Sequence, residues 1–259
     1  MFSCSKLETG LQLAPRIVSN RIDDAFDYKS GKLSALRKQI DTDIQSYKKG
    51  LALRLISHID VILELSKKDK ITSAEIKTFI DSAKETQEDI ILHFQSSFES
   101  ALSDLSEKQI SHFKKYSDKK IDSDLEDSDD KKDFLNDRKK SILKTYGYFF
   151  DDLTDLQKKL VEEFVNQHYA YFVERIKIRK QFSDHFHLKL VANEPATQFA
   201  MNYYAGNTKQ FSSGLIKFYM DDFYKFQADF WNMTPEKERI NLRKNINSYK
   251  DQLKKIAGI

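Results

Sequence analysis

Cysteine, proline and glycine are all scarce in this chain, and each scarcity narrows the range of folds. Cys4 is the single cysteine in 259 residues, so the chain forms no internal disulfide. Three prolines and seven glycines leave few points at which a helix must break. Charged residues make up 32% of the sequence and hydrophobic residues 40%, and this composition favours helices.

The sequence also lacks a long apolar run and an excess of charge of one sign. No stretch approaches the roughly 18–20 consecutive apolar residues of a membrane-spanning helix. The 43 basic and 40 acidic residues leave a net charge of +3, so we expect no nucleic-acid partner. A chain of this length can bury a large core without a metal or cofactor, and we expect neither.

Helix starts are the clearest local signal in the sequence. Thr72, Ser106 and Thr154 each follow an apolar residue and precede Glu or Gln by three positions. This spacing predicts three capping boxes. At a fourth start, Pro235 follows Thr234 and is predicted to occupy the first helical position.

Apolar residues spaced three and four apart predict the helices themselves. One long helix is expected over about residues 30–66, with a kink or break at Gly50 left open, and another over about residues 154–191. No segment shows sustained alternation of apolar and polar residues, so no sheet is expected. The sequence therefore predicts an all-α fold, a single irregular domain of about eight or nine helices, two of them long.

Two segments are expected to lie outside the helices. Residues 122–133, DSDLEDSDDKKD, are predicted to form an exposed charged loop. Residues 1–8 are predicted to be a flexible tether that precedes a helical domain over residues 9–259.

The order of several short motifs carries a family resemblance over nearly the whole chain. RIDDAFDY at residues 21–28 precedes LRKQI, LSEKQ and LTDLQ, and MTPEKERINL follows near the end. This order resembles an uncharacterised family of bacterial α-helical lipoproteins, in which a lipidated Cys precedes an acidic motif. Asp23, Asp24 and Asp27 match that motif, whereas Tyr28 stands where the family usually has Leu.

The resemblance implies a location rather than an activity. Cys4 would be the lipidated residue and would anchor the chain in a membrane. Because Ser5 rather than Asp follows it, the implied site is the periplasmic face of the outer membrane of a Gram-negative bacterium. Only three residues precede Cys4, and they lack the apolar run that secretion needs, so the alternatives are a truncated start or a true start codon upstream of Met1. The alternative location is the cytoplasm.

Two arginines on the second long helix suggest a buried polar network. Arg179 shares the apolar stripe of this helix, and Arg175 lies on the same side. A charge that faces a core needs a partner of opposite sign, and Asp23 and Asp24 on the N-terminal helix are the candidates. We predict that this network docks the N-terminal helix; the alternative is that the arginines bind a ligand.

The segment 211–231 is unusually rich in aromatic residues. Phe218, Phe226 and Phe230 share one face, and four further aromatics spread around the rest: Tyr219, Phe223, Tyr224 and Trp231. This pattern favours a buried central helix, with a peptide or lipid groove along these four residues as the alternative.

The sequence gives little support for a metal site or a catalytic site. His185 and His187 are two positions apart and point in different directions on a helix, and the acidic stretch lacks the glycine and glutamate of a calcium loop. No catalytic motif occurs. The sequence therefore favours a non-enzymatic binding, scaffolding or chaperone-like module with an unknown protein or peptide partner, and a cytosolic adaptor for partner helices is the alternative.

Overall fold

The computed structural model describes residues 6–207 and 214–259, and their fold is all-α, as predicted. Within these ranges 85% of the chain is helical and no strand occurs. The described residues form eleven helices rather than eight or nine: α1 Lys6–Phe26, α2 Ser30–Leu65, α3 Ser73–His93, α4 Gln95–Leu102, α5 Glu107–Asp129, α6 Lys131–Tyr146, α7 Asp155–Gln167, α8 Tyr169–Val191, α9 Ala196–Tyr204, α10 Gly214–Asn232 and α11 Glu236–Ala257.

The predicted capping boxes are all present, and they begin α3, α5 and α7. The prediction for the last helix is wrong by one residue. Pro235 is the N-cap and α11 begins at Glu236. The hydroxyl of Thr234 instead donates to the carbonyl of Phe230 and accepts from the side chain of Gln157.

The extra helices arise from two breaks that contain neither proline nor glycine. Phe94 separates α3 from α4, and His168 separates α7 from α8, so the predicted long helix over residues 154–191 is wrong. At His168 the backbone has φ −104° and ψ 21°, and its N–H is shared between the carbonyls of Phe164 and Val165. By contrast, α2 runs through Gly50 for 36 residues without a break.

Two predictions about irregular segments are corrected. The acidic stretch 122–133 is helical, because α5 continues to Asp129 and α6 begins at Lys131. Asp130 alone separates the two helices, and its carboxylate accepts from the backbone N–H groups of Lys132 and Asp133. The flexible tether is wrong for residues 6–8, which begin α1; residues 1–5 lie outside the described ranges.

Helix α2 is the longest element and packs against α1 and α11. Two large apolar clusters pack against different halves of α8. One joins α1, α2 and α9 to the second half of α8 through Phe182 and Phe186, and the other joins α6, α7, α10 and α11 to its first half through Ile176. Helix α8 therefore connects the two parts of the core.

The helices do not include a candidate membrane span. Among the described residues, no helix combines the length and apolar character needed to cross a bilayer.

Candidate functional site

A cavity of about 1150 Å³ opens between α1, α5, α8 and α9, with residues of α3 and α4 along one side. We call it the central cleft. Its volume slightly exceeds the roughly 300–1,000 Å³ range that is typical of small-molecule sites.

Helices α5 and α8 pack against each other in antiparallel directions and together form one wall of the central cleft. Phe113 on α5 meets Phe186 on α8 with 5.2 Å between ring centroids. One turn further along α5, the hydroxyls of Ser117 and Ser183 are 2.7 Å apart. Residue numbers along this wall therefore rise on α5 while they fall on α8.

One end of the central cleft is aromatic. Phe26 on α1 stacks on Phe113 at 5.1 Å, and Phe182 stacks on Phe186 at 5.6 Å. Tyr203 on α9 covers Phe182 from another side at 3.8 Å. The faces of these rings are largely covered by other rings, so this end offers an apolar surface rather than an open slot for a flat ring.

The other end of the central cleft is charged, and positive charge predominates. The lining of the whole cleft includes five cations and two carboxylates: Arg21, Lys84, Lys120, Arg175 and Arg179 against Glu88 and Asp124. Of these, Lys120, Asp124, Arg175 and Arg179 belong to the end of the α5–α8 wall away from Phe113 and Phe186. Asp124 pairs with Arg179 at this end of the α5–α8 wall. The excess of positive charge favours an anionic group at this end.

Arg175 and Arg21 have no partner of their own in the part of the chain that the structure describes. Both side chains are exposed, and neither forms a hydrogen bond or an ion pair with a described residue. Lys120 differs, because it contacts the hydroxyl and the ring face of Tyr116. Both arginines are therefore available to an external anion.

Arg175 and Arg179 also line a smaller cavity of about 310 Å³. Tyr219 lines it and stacks on Tyr171 at 3.6 Å, so a flat hydroxyl-bearing wall faces Arg175. Burial raises the pKa of both tyrosines above its usual value, while the positive charge of Arg175 opposes the rise. Their hydroxyls therefore stay protonated near neutral pH.

The predicted Asp23/Asp24–Arg175/Arg179 network does not form. Arg179 pairs with Asp124 on α5 instead. Asp23 accepts from the backbone N–H of Tyr28 at 2.8 Å and so helps to end α1, where Asp27 adopts a left-handed φ of 52°. The acidic motif thus acts as a helix stop, and the arginines are left to line two cavities.

The four residues predicted for an aromatic groove lie mainly in the core. Tyr224 is 7% exposed, and Phe223 and Trp231 pack against two apolar clusters. Tyr219 is the member of the four that lines the smaller cavity. Phe226 and Phe230 are buried as the favoured interpretation requires, whereas Phe218 is 51% exposed.

The central cleft itself was not evident from the sequence. Its signal is the pattern R-x3-R-x2-F-x3-F at residues 175–186, which places two cations and then two aromatics along one face of α8. The matching face of α5 carries Phe113, then Lys120 and Asp124 in the opposite order along the cleft. Each of these two residue patterns is common in helices. The cleft has an aromatic end and a charged end only because α5 and α8 pack antiparallel.

A further cavity, of about 380 Å³ and almost entirely apolar, lies between α1, α2, α3 and α4. Leu11, Ile44 and Phe94 line it, and Lys48 is the charged residue in its lining. It offers little polar recognition for a ligand.

The remaining site predictions receive no structural test. Cys4 lies outside the described residues. Within the described ranges, no group of three or more His, Cys, Asp or Glu side chains has the arrangement of a metal site.

Comparison with protein-family models, with curated proteins and with solved structures finds no match to this chain. The resemblance to lipoproteins therefore rests on the short motifs alone.

Proposed function

We propose that the protein is a non-enzymatic helical binding module and that its ligand occupies the central cleft. The observation that carries this proposal is the volume of about 1150 Å³ combined with an aromatic end and a charged end. A cavity with apolar walls and a few converging polar groups is the usual form of a small-molecule site.

A binding role is favoured over catalysis by the polar groups of the cleft. The hydroxyls of Ser117 and Ser183 bond to each other, so neither is paired with a base that would activate it as a nucleophile. The cations of the charged end are suited to holding an anion.

Titration with a neutral apolar dye, N-phenyl-1-naphthylamine, tests the location of the site. Ala25 lines the central cleft, and Ala25→Phe places a ring inside it. We expect this variant to bind the dye about tenfold more weakly, since the added ring fills apolar space. Ala35→Phe is the matched control, because Ala35 is an exposed helical alanine on α2.

Equal dye affinity in the two variants, or no dye binding by the wild-type protein, would contradict the proposal. Thermal melting of both variants establishes that each is folded before the affinities are compared.

The proposed location is the cell envelope of a Gram-negative bacterium, with a lipid on Cys4 at the periplasmic face of the outer membrane. Its support is the sequence resemblance. Intact-mass analysis of protein from its native cells tests it: a chain that begins at Cys4 and carries acyl groups supports the anchor, and an unmodified chain that retains Met1 contradicts it.

A cytosolic adaptor is the second candidate function. Its support is the exposed apolar surface of α1, where Leu13, Ile17 and Val18 are 42–49% exposed and could contact a partner helix. An unmodified chain in the cytosol that forms a stoichiometric complex, lost in Ile17→Asp, would favour this function.

A further inference from the structure

We propose that the ligand of the central cleft is a single-chain amphiphile with an oxyanion head group, such as a long-chain carboxylate or an alkyl phosphate. This inference rests on the proposed binding function and adds the chemical class of the ligand. The inference also gives the orientation of the ligand: its alkyl chain lies at the aromatic end and its head group at the charged end.

The length of the cleft suits an extended chain. Arg175 and Phe186 are eleven positions apart on one helix and both line the cleft. At the rise of an α-helix they are separated by about 16 Å along the axis. The cleft is therefore long enough for a ligand whose two ends have different chemistry.

The aromatic end selects a chain over a planar ring. Phe26 lies on Phe113, and Phe182 is covered by both Phe186 and Tyr203, so the ring faces are already stacked. A purine or pyrimidine base needs a free aromatic face, whereas methylene groups need only an apolar surface. This end therefore favours an alkyl chain over a nucleotide.

The charged end selects an oxyanion. Arg21 on α1 and Arg175 on α8 line the cleft without an ion-pair partner among the described residues. A guanidinium presents a planar fork of donors that matches the oxygens of carboxylate and phosphate groups. An alcohol head would leave these charges without a counterion, and an ammonium head would be repelled.

Calorimetric titration with three probes of equal chain length tests this chemistry, each at a concentration at which it is monomeric. The probes are dodecanoate, monododecyl phosphate and dodecanol. We expect at least one anion to bind about tenfold more tightly than the alcohol. If one anion binds more tightly than the other, the head group of the tighter probe shows whether the site prefers a carboxylate or a phosphate.

The double variant Arg21→Gln, Arg175→Gln tests the orientation. We expect it to weaken binding of the preferred anion about tenfold and to leave dodecanol binding unchanged. The matched control is Arg16→Gln, Lys177→Gln, which removes the same charge from exposed positions of α1 and α8 outside the cleft. The control should retain wild-type affinity for the anion.

The results also separate this inference from the binding function. Equal affinity for all three probes, with sensitivity to Ala25→Phe, retains the cleft as a binding site and overturns the oxyanion class. Equal loss of affinity in the double variant and in its control overturns the orientation, because it attributes the effect to overall charge. Failure of every probe and of the neutral dye rejects the binding function itself.

Discussion

Asp43 on α2 caps the N-terminus of α4 from a distance of 54 positions in the sequence. Its Oδ2 accepts from the backbone N–H of Ser97 at 3.2 Å and from the Ser97 hydroxyl at 2.6 Å. Its other oxygen accepts from Gln39. Asp43 is 6% exposed, and this carboxylate satisfies donors that the break at Phe94 would leave unpaired.

Replacement of Asp43 should therefore destabilise the fold. We expect Asp43→Ala to lower the free energy of unfolding by about 2–3 kcal/mol, because it strands buried donors at the start of α4. Urea unfolding measures the change. Asp41→Ala is the control, since Asp41 is exposed on the same helix and bonds only Gln45 among described residues. Equal stability of the two variants would refute the long-range cap.

A second prediction compares two capping boxes of the same design. Gln157 is fully buried, and besides closing its own box it donates to Thr234 at 3.1 Å. Gln109 closes an exposed box at the start of α5. We expect Gln157→Ala to cost about 2–3 kcal/mol of unfolding free energy and Gln109→Ala about 1 kcal/mol.

Chemical unfolding of the two glutamine variants provides the comparison. Equal losses of unfolding free energy in the two variants would mean that the hydrogen bond from Gln157 to Thr234, which joins α7 to the start of α11, adds nothing to stability.

His168 predicts how stability depends on pH. Burial lowers the pKa of its imidazole, and the nearby carboxylate of Asp222, 3.4 Å from Nε2, opposes the shift only in part. The native protein therefore binds this proton less readily than the unfolded chain. The resulting stability is present above the unfolded pKa of about 6.5 and is lost as the pH falls below it.

Urea unfolding at pH 7 and at pH 5 tests the role of His168. We expect the unfolding free energy of the wild type to fall over this interval, at no more than about 1.4 kcal/mol per pH unit for this one group. His168→Phe keeps a ring between Phe164 and Tyr219 and should reduce the fall. His185→Phe, at an exposed position of α8, should retain it, and an identical slope in all three proteins would contradict the assignment.

The sequence was sufficient for the features that local chemistry determines. The capping boxes at Thr72, Ser106 and Thr154 are local hydrogen-bond patterns, and they were predicted correctly because no distant contact is needed to form them. The breaks at Phe94 and His168 are not evident from the sequence, for the opposite reason. Neither residue opposes a helix, and the contacts that hold each break come from Asp43 on α2 and Tyr219 on α10.

The acidic stretch and the central cleft illustrate the same limit. Many aspartates lower helix propensity, so residues 122–133 were predicted as a loop, yet Asp124 pairs with Arg179 and Asp130 caps α6. The sequence singles out Arg175 and Arg179, but it does not identify Asp124 as a partner, because that pairing depends on the antiparallel packing of α5 and α8. The alternative of a ligand-binding role is proposed for Arg175, whereas Arg179 pairs with Asp124.

Photo-crosslinking tests the central claim most directly, with the dodecyl anion that binds more tightly, dodecanoate or monododecyl phosphate, carrying a diazirine at the end of its alkyl chain. If the chain occupies the central cleft as proposed, peptide mapping should find crosslinks near Phe113 and near Phe182 or Phe186, and Ala25→Phe should abolish them. Crosslinks concentrated instead at the apolar cavity around Leu11 and Ile44, unaffected by Ala25→Phe, would contradict the account.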